Sequence, residues 1–222
     1  MNTFTFDGNH QENGKNPKIK ENHGSKKGKR GDLLLVIDMQ NAYTELGPWT
    51  CPYIERAADN ITELIETGQF AQVIFTRFDA PQQPVGTWKD YNAINREVNE
   101  DFFMNELIPQ LAPYAEFFPL YSKSTYSALS VPEIQSEVSE CIQRGGSVVL
   151  TGVVSECCVL ATAFQAIDMG CPVIYISDAC AGISDETEAA VEMVLSGLDY
   201  VQTSILDAKE YLKLRNSVKS EV

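Results

Sequence analysis

The sequence predicts an α/β fold: three layers, α/β/α, around a mostly parallel, doubly wound sheet of five to six strands. Three observations predict it. Continuous apolar runs recur at residues 33–37, 71–76, 147–150 and 172–176, and such runs suit strands covered on both faces. Segments with helical spacing separate them, and strand–helix alternation implies parallel strands joined by right-handed crossovers. Several runs also end at a reactive side chain, as expected where ligands bind at the carboxyl ends of parallel strands.

Leu33-Leu34-Leu35-Val36-Ile37 reads as a fully buried strand ending at Asp38. Ile54, Ala57, Ala58, Ile61, Leu64 and Ile65 give a helix over 54–67 that Gly68 closes. The strand at 71–76 is followed by a long irregular stretch, Phe78 to Tyr91, whose length and aromatic content suggest a pocket-lining excursion. A short helix is expected from Phe102 to Leu111, a short strand at 116–120 leading to Lys123, and a helix from Val131 to Arg144. Ser147 to Leu150 is the fourth strand and Cys158 to Met169 the next helix, capped by Gly170. Pro172 to Ile176 is the fifth strand, ending at Asp178; then come a helix at 186–195, an edge strand at 200–203 and a last helix at 206–214. No internal repeat and no glycine-rich phosphate loop is present, since Gly145-Gly146 precedes a strand.

The 222 residues are expected to form one compact domain over 31–222 behind a disordered basic tail over 1–30. That tail holds seven basic residues against Asp7, Glu12 and Glu21, a net of +4, which leaves −18 for residues 31–222 out of a total of −14. A body this acidic repels nucleic acid and anionic membrane. No apolar run reaches the roughly 20 residues of a membrane span. The first residues lack the charged-then-apolar plan of a secretory signal, so a cytoplasmic location is the expectation. The six cysteines have no CxxC spacing and read as reduced thiols, four of them within or beside apolar runs.

The two histidines, His10 and His23, both lie in the tail. A Ser-His-Asp or Cys-His pair within the body is therefore excluded, as is a histidine-bound zinc, and a general base there must be Asp, Glu, Lys or Tyr. In Thr151-Gly152-Val153-Val154-Ser155-Glu156-Cys157-Cys158-Val159, a strand turns into a helix with two thiols at the turn. Ser155 as N-cap places Cys158 in the first helical turn, where free N–H groups and the helix dipole favour thiolate. Asp38, Lys123 and Cys158 thus fall at three strand ends. Each has a plain alternative: a helix cap, a solvated lysine and a buried small hydrophobe, respectively.

Asp38 in Val36-Ile37-Asp38-Met39-Gln40-Asn41, Lys123 before Tyr126-Ser127-Ala128, and Cys158 in Gly152-Val153-Val154-Ser155-Glu156-Cys157-Cys158-Val159 resemble the motifs of the isochorismatase-like cysteine hydrolases over about residues 32–205. The resemblance implies a cysteine amidohydrolase with an Asp38-Lys123-Cys158 triad, Cys158 as nucleophile and Cys157 as its neighbour. It further implies an oxyanion hole from the backbone N–H groups of Val154 and Cys158, with a cis peptide between Val153 and Val154. The expected substrate is a small amide: carbamoyl, ureido, lactam or primary carboxamide. Nicotinamidases of the family hold a metal through an Asp and histidines after the second strand. Here Thr76-Arg77-Phe78-Asp79-Ala80-Pro81 offers only Asp79, so no metal and no cofactor are expected. Tyr43, Trp49, Phe78, Trp88, Tyr91 and Tyr126 are candidate substrate-binding residues. Arg77 either anchors a substrate carboxylate or pairs with a nearby acid.

Two other readings stay open: a vinyl-ether hydrolase of the isochorismatase type, which generally lacks the cysteine, and a non-catalytic scaffold. A redox sensor using Cys157 and Cys158 is a further alternative. Family resemblance also implies a homo-oligomer, dimer or tetramer.

Overall fold

The computed structural model describes residues 31–67, 70–199 and 201–217. The basic tail, Gly68 as the close of the first helix and Tyr200 as the start of an edge strand lie outside them. Six strands form one sheet in the order β3-β2-β1-β4-β5-β6: β1 Leu33–Ile37, β2 Gln72–Phe78, β3 Leu120–Lys123, β4 Val148–Val153, β5 Val173–Ala181 and β6 Thr203–Leu206. Every pairing is parallel, which is the doubly wound order with its switch point between β1 and β4.

The strands are buried on both faces, and β1 displays the alternation most directly. Leu34 and Val36 pack into the core shared with α1 (Ile54–Glu66) and α8 (Ala208–Ser217). Leu33, Leu35 and Ile37 pack with α5 (Pro132–Gln143), α6 (Leu160–Asp168) and α7 (Asp185–Ser196) on the other side.

Four expectations are corrected. The strand expected at 116–120 begins at Leu120: Ala112–Glu116 is a 3₁₀ turn, and Pro119, lacking an N–H, contributes only its carbonyl, to Phe75 N at 2.8 Å. The helix expected from Phe102 to Leu111 stops at Asn105, forming α4 (Phe102–Asn105) under an Asp101 cap; Ile108 precedes Pro109, and Leu107 bridges instead to Gln40. The excursion after β2 is partly helical, with α2 at Trp88–Ile94 and α3 at Arg96–Glu100. The final strand and helix each start later than expected, because Asp207 and Glu210 cap α8 reciprocally: Glu210 N donates to Asp207 Oδ1 at 2.7 Å and Asp207 N to Glu210 Oε2 at 3.0 Å.

At the amino ends of the strands, buried Asp32 ties the last helix to the first strand. Its carboxylate accepts from Ser147 N at 2.9 Å and Tyr211 OH at 3.0 Å, and pairs with Arg215 Nη2 at 2.6 Å. Removing it leaves a mostly buried guanidinium unpaired. Asp32→Ala is expected to cost about 3 kcal/mol, a fall of about 10 °C in Tm by calorimetry, whereas an unchanged Tm would refute this anchoring role.

Candidate active site

The carboxyl ends of β1, β2, β3 and β4 bring the three reactive side chains together. Asp38 follows β1 with φ of 51°, a left-handed conformation that Asp tolerates because its short side chain crowds the backbone little. Its N–H still extends the ladder to β2, donating to Thr76 O at 3.1 Å. Thr76 Oγ1 donates to Asp38 Oδ1 at 2.8 Å. Lys123 ends β3 beside Phe78, and its stem crosses the tip of β2 to reach β1. Its ammonium lies 2.6 Å from Asp38 Oδ2, with both side chains fully buried. The same nitrogen donates to Cys158 Sγ at 3.3 Å and Thr125 O at 3.0 Å, so all three of its hydrogens have acceptors.

Between β1 and β4 the backbones nearly touch. Gly152, paired with Ile37, has φ of 107°, and a Cβ there would sit 2.1 Å from Ile37 O. Only glycine fits. Beyond it the Val153–Val154 peptide bond is cis, and the chain enters a π turn at Ser155–Val159 before α6. Ser155 is not the cap expected from the sequence. Its hydroxyl accepts from Tyr175 OH at 3.2 Å, and Val154 O takes the N–H of Cys157 at 3.0 Å and of Val159 at 3.2 Å. Cys158 is 4% exposed at the first wide turn, and Cys157 is half-buried.

The electrostatics correct a second expectation about Cys158. The helix start was expected to favour thiolate, yet burial, and after it the Asp38 carboxylate, push the thiol well above its ordinary range against the opposing pull of Lys123. Burial and the adjacent carboxylate thus both favour the protonated thiol. Burial works to lower the Lys123 ammonium, but the nearby Asp38 and Cys158 outweigh it and raise the group overall, so it stays charged.

All six aromatic side chains singled out from the sequence meet in one continuous wall. Tyr43 packs on Trp49 at 5.5 Å between centroids, Trp49 on Tyr91 at 6.5 Å, and Tyr91 on both Phe78 and Trp88 at 6.0 and 5.1 Å. Tyr126 joins through Trp88 at 5.5 Å. The phenols of Tyr43, Tyr91 and Tyr126 lie close enough to Cys158 to be raised by it, although burial is the larger cause in each. The wall meets the cluster at Phe78, whose ring centroid lies 5.4 Å from Lys123 Nζ.

Asp79 and Arg77 are taken up by one another at 3.0 Å, with Ser122 Oγ also 3.0 Å from Arg77 Nε. Arg77 sits between Thr76 and Phe78, on the opposite face of β2 from the triad. Sequence reasoning missed Thr76 and Thr162. Thr162 is fully buried, donating to Cys158 O at 2.7 Å and accepting from Ala128 N at 2.9 Å. Both were findable: Thr76 stands near the end of the strand beside Asp38, and Thr162 lies four residues after Cys158, on the same face of its helix.

Known proteins match this arrangement at the level of family and fold. A family model described as an isochorismatase domain matches residues 32–204. Isochorismatase domain-containing protein 2 of Xenopus laevis is 32% identical over 77 residues, which is 35% of this chain and 36% of that protein. The match thus spans about a third of that relative's length. An isochorismatase-like hydrolase from Alkaliphilus metalliredigens superposes with a TM-score of 0.66 at 21% identity, covering 82% of this chain and 98% of that one. A nicotinamidase from Bacillus subtilis gives 0.64 at 21% identity over 80% and 99% of the two chains. N-carbamoylsarcosine amidase from Thermoplasma acidophilum gives 0.61 at 21% identity over 81% and 97%. With a family match running through all six strands' pairing region and the same three-layer sheet, the chain belongs to the isochorismatase family.

Proposed function

We propose that the protein is a cysteine amidohydrolase that cleaves the C–N bond of a small amide through a thioester. One observation carries this reading: a single buried ammonium, Lys123, touches Asp38 Oδ2 at 2.6 Å and Cys158 Sγ at 3.3 Å. A base, a nucleophile and a fixed cation thus share one site without histidine.

Burial and Asp38 hold the Cys158 thiol up, so attack begins with proton transfer. The Cys158 S–H proton moves to Asp38, and Lys123 holds the thiolate that forms. The thiolate adds to the amide carbonyl, and the oxyanion is received by the backbone N–H groups of Val154 and Cys158. As the C–N bond breaks, Asp38 returns the proton to the leaving nitrogen, giving ammonia or an amine and leaving a thioester. Asp38 then takes a proton from water, the hydroxide adds to the thioester, and the carboxylic acid departs as the sulfur regains its proton. The triad starts and ends in the same protonation state, with no oxidant or metal in the balance.

A thiol at the ammonium's second contact favours C–N cleavage over vinyl-ether cleavage, which needs a proton donor but no nucleophile. The names of the nicotinamidase and N-carbamoylsarcosine amidase neighbours, both amide-cleaving, support the same direction. Thr162 is read as a positioning residue. Its hydroxyl joins the carbonyl of Cys158 to the segment following Lys123, and so fixes sulfur against ammonium.

Cys158→Ala is expected to lower ammonia release from a panel of small amides by about 10⁴-fold or more, while Cys157→Ala keeps most of it. Equal loss in both variants would overturn the assignment. Lys123→Met removes the one nearby group that lowers the Cys158 thiol. The pH profile of iodoacetamide alkylation at Cys158 is therefore expected to move to higher pH, and an unmoved profile would detach the ammonium from the sulfur. Thr162→Val is expected to lower kcat by about tenfold with KM little changed, and Thr162→Ser to restore most of it. A change confined to KM would instead place Thr162 in substrate binding.

A further inference from the structure

At the carboxyl end of β2 a side chain takes the place of a strand. β1 ends at Ile37, and Asp38 gives its N–H to Thr76 O at 3.1 Å before its φ of 51° turns the chain away. β2 runs on to Phe78, which lies opposite Lys123 of β3. In a parallel ladder, residues two apart along a strand present their peptide groups to the same neighbour. Phe78 therefore turns its N–H and C=O, like those of Thr76, toward ground that β1 has already left. Phe78 is 3% exposed, so water does not satisfy these groups, and leaving them unpaired costs the desolvation of both.

Gln40 fills the gap. Its Oε1 accepts from Phe78 N at 2.8 Å, and its Nε2 donates to Phe78 O and to Asn105 O, each at 3.0 Å. The side-chain amide offers one acceptor and a donor side by side, as a peptide group of the missing strand would. Gln40 is itself buried, and its own N–H donates to Asp38 O at 2.7 Å. The clasp on β2 and the turn that presents the carboxylate thus belong to one three-residue segment.

What the clasp holds bears directly on the lysine. Thr76 and Phe78 share one face of β2. Thr76 Oγ1 donates to Asp38 Oδ1 at 2.8 Å, and the Phe78 ring stands 5.4 Å from Lys123 Nζ. An aromatic face attracts the ammonium and occupies space that water would otherwise take beside it. A dry ammonium attracts a thiolate more strongly than a wetted one, because the effective dielectric between them is lower.

We infer that Gln40 is a positioning residue: it stands in for the missing length of β1, fixes the end of β2, and through Phe78 keeps Lys123 dry against Asp38 and Cys158. The catalytic consequence of that placement rests on the amidase reading, whereas the effect on the sulfur does not.

The test uses full-length variants and two measurements: the pH profile of iodoacetamide alkylation at Cys158, resolved by peptide mapping, and ammonia release from small amides. Gln40→Met keeps the length and loses all three hydrogen bonds. It and Phe78→Leu are each expected to move the alkylation profile to higher pH, in the direction of Lys123→Met but by less, and to lower ammonia release by about tenfold. The double variant is expected to go no further than the larger single one, because both act through the same ring. Gln40→Glu is the discriminating change. Ionised, it faces two carbonyl oxygens; protonated, it again offers Phe78 one donor and one acceptor. The ratio of its alkylation rate to that of the unaltered protein is expected to rise toward one as pH falls, while the ratio for Gln40→Met stays low. An unmoved profile in Gln40→Met, losses that multiply in the double variant, or a Gln40→Glu ratio that does not rise overturns the inference. If Gln40→Met fails to fold, the Gln40→Glu ratio decides alone. The expected alkylation pattern without ammonia release from any amide supports the clasp and rejects the amidase reading.

Discussion

An ion pair with no solvent contact, Asp38 with Lys123, sets the terms for everything around it. Removing a carboxylate and an ammonium from water costs several kcal/mol for each ion, and their attraction offsets this only when the remaining valences are filled. Here they are. Lys123 finds Asp38, Thr125 O and Cys158, and the second carboxylate oxygen accepts from Thr76. These partners come from different stretches of chain, so the pair is satisfied only if β3, β2 and β1 lie side by side in register and the turn after β4 closes over them. The strand order and the close approach at Gly152 are thus requirements of the charge pair as much as of the apolar core.

The pair also accounts for the state of the sulfur. A thiol beside a carboxylate in an apolar setting keeps its proton, and a nearby ammonium offsets that preference only in part. The helix dipole, which a sequence-level view weighs heavily, is outranked by burial and by one adjacent charge.

Much of this was legible in the residues. Uninterrupted apolar runs at 33–37 and 147–150 specify parallel strands with both faces covered, and a polar residue just past such a run marks the reactive rim. Asp38, Lys123 and Cys158 were readable on those grounds, and the structure brings the Lys123 ammonium into contact with both of the others. What was not legible depended on partners distant in sequence. Phe117 and Phe118 have the composition of a strand, but Tyr114 O captures their N–H groups and Pro119 delays the ladder. Ser155 looks like a cap, but Tyr175 claims its hydroxyl from the adjacent strand. Thr162 carries a local signature only in its spacing of four from Cys158, and its second partner, Ala128 N, comes from across the fold.

The two rims of the sheet divide the labour. At the amino ends, Asp32, Tyr211 and Arg215 fasten the last helix to the first strand, while the carboxyl ends hold Asp38, Lys123 and Cys158. Because Cys158 is encoded after both Asp38 and Lys123, a chain still emerging from the ribosome carries the two members of the ion pair before the sulfur that completes the cluster. The three side chains can meet only once β4, at the centre of the sheet, has closed against β1.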